Sequence, residues 1–414
     1  MESRREVVQS GCEVVGFGCE DEESECEMVG VGCEGGESVG EGARAGREAG
    51  GLGRAPGAGG FPGLLTASGQ PLARRTGWRG MEHSTDTVDL LVVGAGPIGL
   101  ACALEATRAG LSARVVEKGA IVNSLVGYPT QMEFFSTPEL LEIGGHPLAT
   151  TYYKPRREET IDYYRGVAQR EGLDVRLGER VLGVDGEQGA FTVRTSKGAH
   201  AARAVAVATG FFDQPNRLGV PGDDLPHVSH YYKEPYPYSG RRVVVVGAKN
   251  SAAKAALEIF RHGGHVTLVV RGAEVTTSVK YWIRPDLLNR IKEGSIDARF
   301  HTTVEAITPE TVRLAGPEGA DEIAADAVLL MTGYHPDFAF LEALGVELAG
   351  PERAPVVDDA TMESTRPGVY LAGTVCGGYA TSRWFIENGR IHAARIAADL
   401  AGLPVPALEA AGQP

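Results

Sequence analysis

The sequence predicts an α/β protein in which two parallel-sheet units follow each other along the chain. Two branched apolar runs each lead into a glycine-containing turn and then a helical stretch, at residues 88–109 and 242–260. Each unit continues into a second apolar run that ends on a charged residue, Glu117 in the first and Arg271 in the second. Strands that alternate with helices in this way are typical of a parallel sheet covered by helices.

Composition and charge exclude several classes of protein. With 414 residues, 43% hydrophobic and 23% charged, the chain can bury one large core or two moderate ones. A net charge of -14 would repel nucleic acid phosphates, so we expect no nucleic-acid partner. No apolar stretch approaches the roughly 20 residues of a spanning helix, so we expect no membrane association. Six cysteines are too few for a disulfide scaffold, which favours a reducing cytoplasm.

The first 83 residues differ from the rest of the chain. Residues 1–80 hold 20 of the 56 glycines and no periodic apolar segment. Such a composition cannot bury enough apolar surface to offset the entropy of ordering, so we predict disorder over residues 1–83. We interpret residues 1–80 as lying upstream of a start at Met81, the alternative being a functional tail. A short Pro/Ala tail is predicted at residues 405–414.

The first unit contains the glycine loop of a Rossmann-like fold, Gly-Ala-Gly-Pro-Ile-Gly over residues 94–99. The glycines allow a sharp turn, the approach of a pyrophosphate and close helix packing, while the first helical amides face the anion. Glu117, 23 residues after Gly94, can accept both ribose hydroxyls and would repel a 2′-phosphate. We therefore predict an FAD site with contacts from Gly94, Gly96, Pro97, Ile98, Gly99, Glu117 and Lys118.

The second unit departs from this pattern in its loop, Gly-Ala-Lys-Asn-Ser-Ala over residues 247–252. Lys249 takes the second glycine slot, where its side chain would either clash with a close-lying pyrophosphate or neutralise it. The strand predicted over residues 265–270 ends at Arg271, 24 residues after Gly247. A guanidinium suits a bidentate contact with a 2′-phosphate, the alternative being a solvated strand end. We predict an NADPH site with contacts from Gly247, Lys249, Asn250, Ser251, Ala252, Arg271 and Lys280.

Three further turns complete the predicted flavin site. Residues 208–210 and 331–333 resemble the Ala-Thr-Gly turns at which flavoproteins with two dinucleotide folds pass between domains, and residues 369–374 resemble the segment that returns to the flavin. Thr374 replaces the usual acid there. A helix beginning around Ser382 would direct its first amides at the pyrimidine edge of the flavin. These segments add to the predicted FAD contacts Tyr128, Thr130, Ala208, Thr209, Gly210, Gly373, Thr374 and Ser382.

The order of these pieces implies a discontinuous domain. The FAD domain is predicted over residues 84–220 and 331–404, and the NADPH domain is inserted over residues 240–330. The proline-rich passages 213–226 and 234–240 would serve as hinge strands between them.

Six segments together resemble one family, the bacillithiol-disulfide reductases, which are YpdA-type relatives of thioredoxin reductase. The segments are residues 125–130, 134–144, 230–240, 247–252, 278–286 and 384–390. The similarity covers about residues 86–403 and includes Lys249. It implies a thioredoxin-reductase-like fold and NADPH-dependent reduction of a low-molecular-weight disulfide, such as bacillithiol disulfide, in cytoplasmic redox homeostasis. A homo-oligomer stays open.

One departure from that family concerns cysteine. Members carry a cysteine between the proline and the last glycine of the first loop, where this chain has Ile98, and the chain contains no C-x-x-C. Cys376 is then the better placed redox candidate, because it follows the flavin-return segment and a helix N-terminus would lower its pKa. Cys102, one turn beyond Ile98, is the weaker candidate. For both, the alternative role is that of a small buried hydrophobe.

Other activities stay open from the residues alone. A ferredoxin or flavodoxin reductase has the same two dinucleotide-binding glycine loops and also lacks a dithiol. A flavin monooxygenase is a second alternative, because His227, His230 and the aromatic residues nearby resemble that class. A non-enzymatic NADPH sensor would need only the FAD and NADPH sites. Lys280 and Arg284, beside Trp282, would suit an anionic thiol acceptor, the alternative being a surface loop.

Overall fold

The computed structural model describes residues 87–406. The predictions of disorder over residues 1–83 and of a start at Met81 lie outside this range, as does most of the predicted tail 405–414. The helices are α1 (Pro97–Arg108), α2 (Asn123–Gly127), α3 (Pro138–Leu141), α4 (Arg157–Arg170), α5 (Asn250–Arg261), α6 (Arg284–Lys292), α7 (Phe338–Ala343), α8 (Ile386–Gly389) and α9 (Ile391–Leu400). Two short 3₁₀ turns cover Tyr236–Tyr238 and Gly373–Gly377, and the second is called the return turn below.

The strands run in chain order from the first glycine loop to the return turn. They are β1 (Val88–Val93), β2 (Ala113–Val116), β3 (Asp174–Arg176), β4 (Val181–Asp185), β5 (Phe191–Thr195), β6 (Gly198–Val207), β7 (Val228–Ser229), β8 (Arg242–Val246), β9 (His265–Val269), β10 (Asp297–Arg299), β11 (Thr303–Ile307), β12 (Thr311–Gly316), β13 (Gly319–Ala324), β14 (Ala327–Leu330), β15 (Leu348–Ala349), β16 (Ala354–Pro355) and β17 (Val369–Leu371).

The first sheet has seven strands and draws on both ends of the described chain. Its order is β3-β2-β1-β6-β5-β4, and β17 pairs with β6. Strands β3, β2, β1, β6 and β17 are parallel, whereas β4 and β5 add an antiparallel edge. The long β6 pairs with β5 through its first half and with β17 through its second. Because β17 comes from residues 369–371, the return turn is delivered to the same sheet edge as the first glycine loop.

The second sheet is entirely parallel, with the order β10-β9-β8-β14-β7. Alternate residues of its central strands enter two separate cores: Val243 and Val245 face one, Val244 faces the other. A sheet that is buried on both faces needs continuous apolar strands, which explains the unbroken valine run of β8. The antiparallel strands β11, β12 and β13 form a third sheet that shares the second core.

The two glycine loops begin their helices differently. Helix α1 begins at Pro97, because proline suits the first helical turn and Gly96 takes an extended conformation as its N-cap. Helix α5 begins at Asn250 with the extended Lys249 as N-cap. Among the helices within residues 87–406, none is both long and apolar enough to cross a membrane.

Candidate functional site

A cleft opens where β1, β2, β6 and β17 end at the same edge of the first sheet. It encloses about 1340 Å³ of empty space, part of which is open to solvent. Ligands of parallel α/β sheets bind at the carboxyl ends of the strands, so this position is the expected one. Twelve of the residues predicted to contact FAD line the cleft: Gly94, Gly96, Pro97, Ile98, Glu117, Lys118, Tyr128, Ala208, Thr209, Gly210, Gly373 and Thr374.

The three glycines of the first loop have three different structural reasons. Gly94 has a positive φ of 105°, and a Cβ there would lie 2.8 Å from the carbonyl oxygen of Ala208. A Cβ on Gly99 would lie 1.9 Å from the carbonyl oxygen of Gly94, so this glycine permits close packing of α1 on the loop. A Cβ on Gly96 would meet no heavy atom within 4 Å. The space beside Gly96 is therefore left free on the cleft side, as a pyrophosphate requires.

Glu117 ties the loop to the end of β2. Its carboxylate accepts hydrogen bonds from the amides of Ala95 and Gly119, both at 2.8 Å, and the residue is 6% exposed. Burial raises the pKa of the Glu117 carboxyl above its usual value, while the two amides act in the opposite direction. Each carboxylate oxygen keeps a lone pair, so the group can still accept from the two hydroxyls of a ribose.

The return turn brings a second backbone segment to the cleft. Gly373 has a φ of 81°, and its amide donates to Nδ1 of His392 at 3.0 Å. His392 is fully buried on α9 and lies edge-on to Trp384, with ring centroids 4.4 Å apart. Desolvation lowers the pKa of His392 to about 4, so the ring is neutral at pH 7. A neutral Nδ1 that accepts from Gly373 fixes the conformation of the turn beside the cleft.

The helix predicted to begin around Ser382 begins instead at Ile386, and this prediction was wrong. The side chain of Asn388 accepts from the amide of Phe385 at 2.7 Å and donates to the carbonyl of Arg383 at 3.0 Å. These bonds make Phe385 the N-cap of α8 and leave Ser382 in an exposed turn outside the cleft. Phe385 and Ile386 line the cleft in its place.

Two other predicted FAD residues lie outside the lining. Gly99 is buried beneath the loop, where it packs on Gly94. Thr130 donates from its amide to the carbonyl of Lys233 at 2.9 Å, so it joins the segment between the two sheets rather than the cleft. Several lining residues belong to no sequence motif and were not predicted; they lie on the short helices α2 and α7 or in loops: Asn123, Ser124, Arg180, Phe212, Asp337 and Phe340.

The second loop is more open than the first. Gly247 has a φ of 145°, and a Cβ there would lie 2.5 Å from the carbonyl oxygen of Met331. Ala252 occupies the slot of Gly99, and Lys249 and Ser251 are exposed. Asn250 holds the facing loop, because its side chain accepts from the amide of Lys280 at 2.9 Å and donates to the carbonyl of Ser278 at 3.3 Å.

Arg271 and Arg284 have different environments. Arg271 is exposed just beyond β9, at the position that corresponds to Glu117 in the first unit. Arg284 donates to the carbonyl of Val275 and to the Glu274 carboxylate, at 3.3 and 3.1 Å. Its guanidinium thus holds the loop between β9 and α6, which favours the alternative of a surface loop over a contact with an acceptor.

The cysteines do not fit the redox roles considered from the sequence. Cys102 is fully buried on α1, and burial raises the pKa of its thiol to about 12. Cys376 is 5% exposed, and desolvation raises the pKa of its thiol well above the usual value. The expected lowering by a helix N-terminus is wrong, since the return turn buries the thiol in the core. Cys376 lines a separate, smaller cavity with Met362, Arg383 and Trp384, not the cleft.

A glycine cradle with a buried acid and a second, open cradle with a basic residue together define an oxidoreductase that uses FAD and a pyridine nucleotide. Residues 91–373 match the family described as pyridine nucleotide-disulphide oxidoreductase. The chain belongs to this family, and the predicted enzyme class and the cofactors FAD and NAD(P)H are confirmed.

Individual relatives narrow this assignment. Bacilliredoxin reductase Bdr of Bacillus subtilis (strain 168) is 42% identical over 313 residues, which cover 75% of this chain and 97% of the relative. The structure of bacillithiol disulfide reductase Bdr (YpdA) from Bacillus cereus superposes with a TM-score of 0.75 at 39% identity, covering 77% of this chain and 99% of the other. A more distant match shows the fold alone: the T. acidophilum thioredoxin reductase superposes with a TM-score of 0.60 at 23% identity, over 76% of this chain and 98% of the other. The predicted family resemblance and thioredoxin-reductase-like fold are confirmed.

Proposed function

We propose that this enzyme uses NADPH to reduce a low-molecular-weight disulfide, with bacillithiol disulfide as the substrate to test first. The observation that carries the proposal is the 39% identity to the bacillithiol disulfide reductase Bdr (YpdA) from Bacillus cereus, across 99% of that chain. Bound FAD would supply the two-electron chemistry that links the reduced nicotinamide to the acceptor. Function in the cytoplasm, and a homo-oligomeric state, belong to the same proposal.

The residues of the first cradle would hold FAD along the cleft. The loop at Gly96 leaves room for the pyrophosphate, and the amides at the start of α1 face it. Glu117 accepts from the ribose hydroxyls, and the apolar side chains of Ile98 and Phe385 exclude water from the ring.

The residues of the second cradle would bind and release NADPH. The exposed Arg271 supplies a guanidinium for the 2′-phosphate, and the exposed Lys249 neutralises the pyrophosphate. Gly247, Asn250, Ser251 and Ala252 form the turn that brings the first amides of α5 to the phosphates.

The acceptor would enter the cleft itself, because residues 87–406 offer no dithiol to carry electrons outward. The chain has no C-x-x-C, and the two cysteines of residues 87–406 are buried away from the cleft lining. A small disulfide can reach such a cleft, which supports a low-molecular-weight substrate over a protein disulfide.

An acceptor screen with the purified full chain tests the proposal. NADPH oxidation is followed with bacillithiol disulfide, other thiol disulfides, ferredoxin, flavodoxin and oxygen. We expect turnover with bacillithiol disulfide to exceed that with every other acceptor. Efficient reduction of ferredoxin or flavodoxin without disulfide reduction would replace the proposal with a ferredoxin-type reductase, and a hydroxylated product formed with oxygen would replace it with a monooxygenase.

A further inference from the structure

Two lysines converge on one exposed tryptophan at the junction of the two halves of the molecule. The Lys154 ammonium lies 4.2 Å from the centre of the Trp282 ring, and the Lys280 ammonium lies 5.9 Å from it. Lys280 also lies 5.2 Å from the ring of Phe135, which packs edge-on against Trp282 with centroids 5.9 Å apart. Phe135 and Lys154 precede α4, whereas Lys280 and Trp282 precede α6, so both dinucleotide-binding units contribute.

Within residues 87–406, neither ammonium has a carboxylate within 4.0 Å. Among the lysines of residues 87–406, only Lys118 and Lys254 have a carboxylate within 4.0 Å. Acids outnumber bases by 54 to 40 in the whole chain, so a shortage of carboxylates does not explain the unpaired charges. Two like charges held within 6 Å of the centre of one ring repel each other. A bound anion that contacts both ammonium groups would offset this repulsion.

A chain of neighbouring residues connects this lysine pair to the cleft. Ser136, the neighbour of Phe135, donates a hydrogen bond to the Glu387 carboxylate, and Ile386 beside it lines the cleft. The flanking tyrosines Tyr153 and Tyr281 are 80% and 82% exposed, so their hydroxyls are accessible to a ligand. Ligand sites occur preferentially where two domains meet, as they do here.

We propose that Lys154, Lys280 and Trp282 form an anion-binding site that holds the carboxylates of a small disulfide acceptor at the mouth of the cleft. The inference rests on the proposed function and adds the residues that select the acceptor. Arg284 is not part of the site, because its guanidinium is taken by Val275 and Glu274. A second copy of the chain is a poor occupant, since a symmetric contact would bring these lysines against their own counterparts.

The test compares Lys154→Gln, Lys280→Gln and the double variant with the wild-type holoenzyme. Bacillithiol disulfide serves as the carboxylate-bearing acceptor and 2-hydroxyethyl disulfide as the uncharged one. We expect the double variant to raise the KM for bacillithiol disulfide about tenfold, with kcat retained, because two partly exposed charge contacts are lost. The KM for 2-hydroxyethyl disulfide stays unchanged in all three variants. The KM for NADPH and the rate of flavin reduction by NADPH stay unchanged in Lys154→Gln, which alters no residue predicted to contact NADPH.

Lys292→Gln is the matched control, because Lys292 is exposed on α6 and has no carboxylate within 4.0 Å among the described residues. We expect it to have no effect on either disulfide. An equal rise in KM for both disulfides, or a rise in the KM for NADPH in Lys154→Gln, overturns the proposed site. So does an unchanged KM for bacillithiol disulfide in the double variant.

Direct binding separates this inference from the proposed function. Bacillithiol disulfide is titrated calorimetrically into the oxidised holoenzyme without NADPH, so that no turnover occurs. Wild-type binding that is lost in the double variant supports the site even if turnover is absent and the proposed function fails. Equal binding by both proteins, or by neither, overturns the site whatever the turnover.

Discussion

The two glycine loops share a backbone plan but differ in how far they are closed. In the first, Gly99 packs on Gly94 so tightly that no side chain fits, and the acid Glu117 is buried under two amides. In the second, alanine is accepted at the slot of Gly99, and the basic residue Arg271 is exposed. A closed cradle with a buried acid suits a group that stays bound, whereas an open cradle with exposed cations suits one that must leave after each turnover.

The largest expected effect comes from the slot in which the loops differ most. Gly96→Leu should give a folded but colourless protein, because the new side chain meets no protein atom near its Cβ and instead fills the space for the pyrophosphate. Lys249→Leu, at the matching slot of the second loop, should stay yellow and bind NADPH more weakly. Flavin absorbance and circular dichroism measure both outcomes. A yellow Gly96→Leu protein would show that FAD does not lie along this loop.

The fold was predictable from sequence where one strand, one turn and one helix follow without interruption. The apolar run predicted to end at Glu117 forms β2, Ala113–Val116, because no other signal competes there. The start of α8 did not, because a side-chain amide three residues inside the helix takes the N-cap bonds that a serine would otherwise form. Capping of this kind depends on which polar side chain reaches the backbone first, and the sequence shows several candidates at similar spacing.

The second prediction concerns the charged residue that ends each unit. Arg271→Glu should reverse the preference for NADPH over NADH, since the 2′-phosphate loses a charge-assisted hydrogen bond of about 1.5 to 3 kcal/mol. The ratio of kcat/KM for the two nucleotides measures it. Arg313→Glu is the control, because Arg313 is also exposed in the inserted part of the chain but lies on β12. A wild type that uses both nucleotides equally would remove the proposed role of Arg271.

The third prediction concerns His392, the buried histidine whose Nδ1 accepts a hydrogen bond from Gly373 of the return turn. The pKa of His392 is about 4 in the folded protein and near 6.5 when unfolded, so the unfolded state binds the extra proton first. Stability from the neutral ring is therefore complete above pH 6.5 and is lost as the pH falls toward 4. We expect wild type to lose about 2 to 3 kcal/mol more than His392→Gln between pH 7 and pH 4.

Urea unfolding of the holoenzymes at several pH values provides the measurement. Glutamine can still accept from the Gly373 amide, so the variant should keep the return turn and its flavin. Parallel pH curves for the two proteins would mean that His392 titrates normally and that the ring is not held neutral.

The residues of the cleft were only partly predictable, because some belong to sequence motifs and others do not. Residues in motifs, such as Glu117, were found because their spacing from the glycines is fixed by one strand and one helix. Arg180 reaches the same cleft from a loop before β4 and Phe340 from the short helix α7, and no local sequence pattern predicts either contact. The lysine pair at Trp282 depends in the same way on contacts between segments more than 120 residues apart.

The smallest expected effect is that of the cysteine substitutions, which test whether a protein thiol takes part in disulfide reduction. The sequence suggested that Cys376→Ser would impair disulfide reduction more than Cys102→Ser. Burial raises the pKa of both thiols, and neither lines the cleft, so we now expect each variant to keep kcat/KM for bacillithiol disulfide within about twofold.

Because serine places a hydroxyl in an apolar core, Cys376→Ala and Cys102→Ala are measured alongside. A loss with serine that alanine restores is a packing effect. A large loss with both substitutions at Cys376 would show that this thiol takes part in the reaction, and that the closed conformation of the return turn opens during turnover.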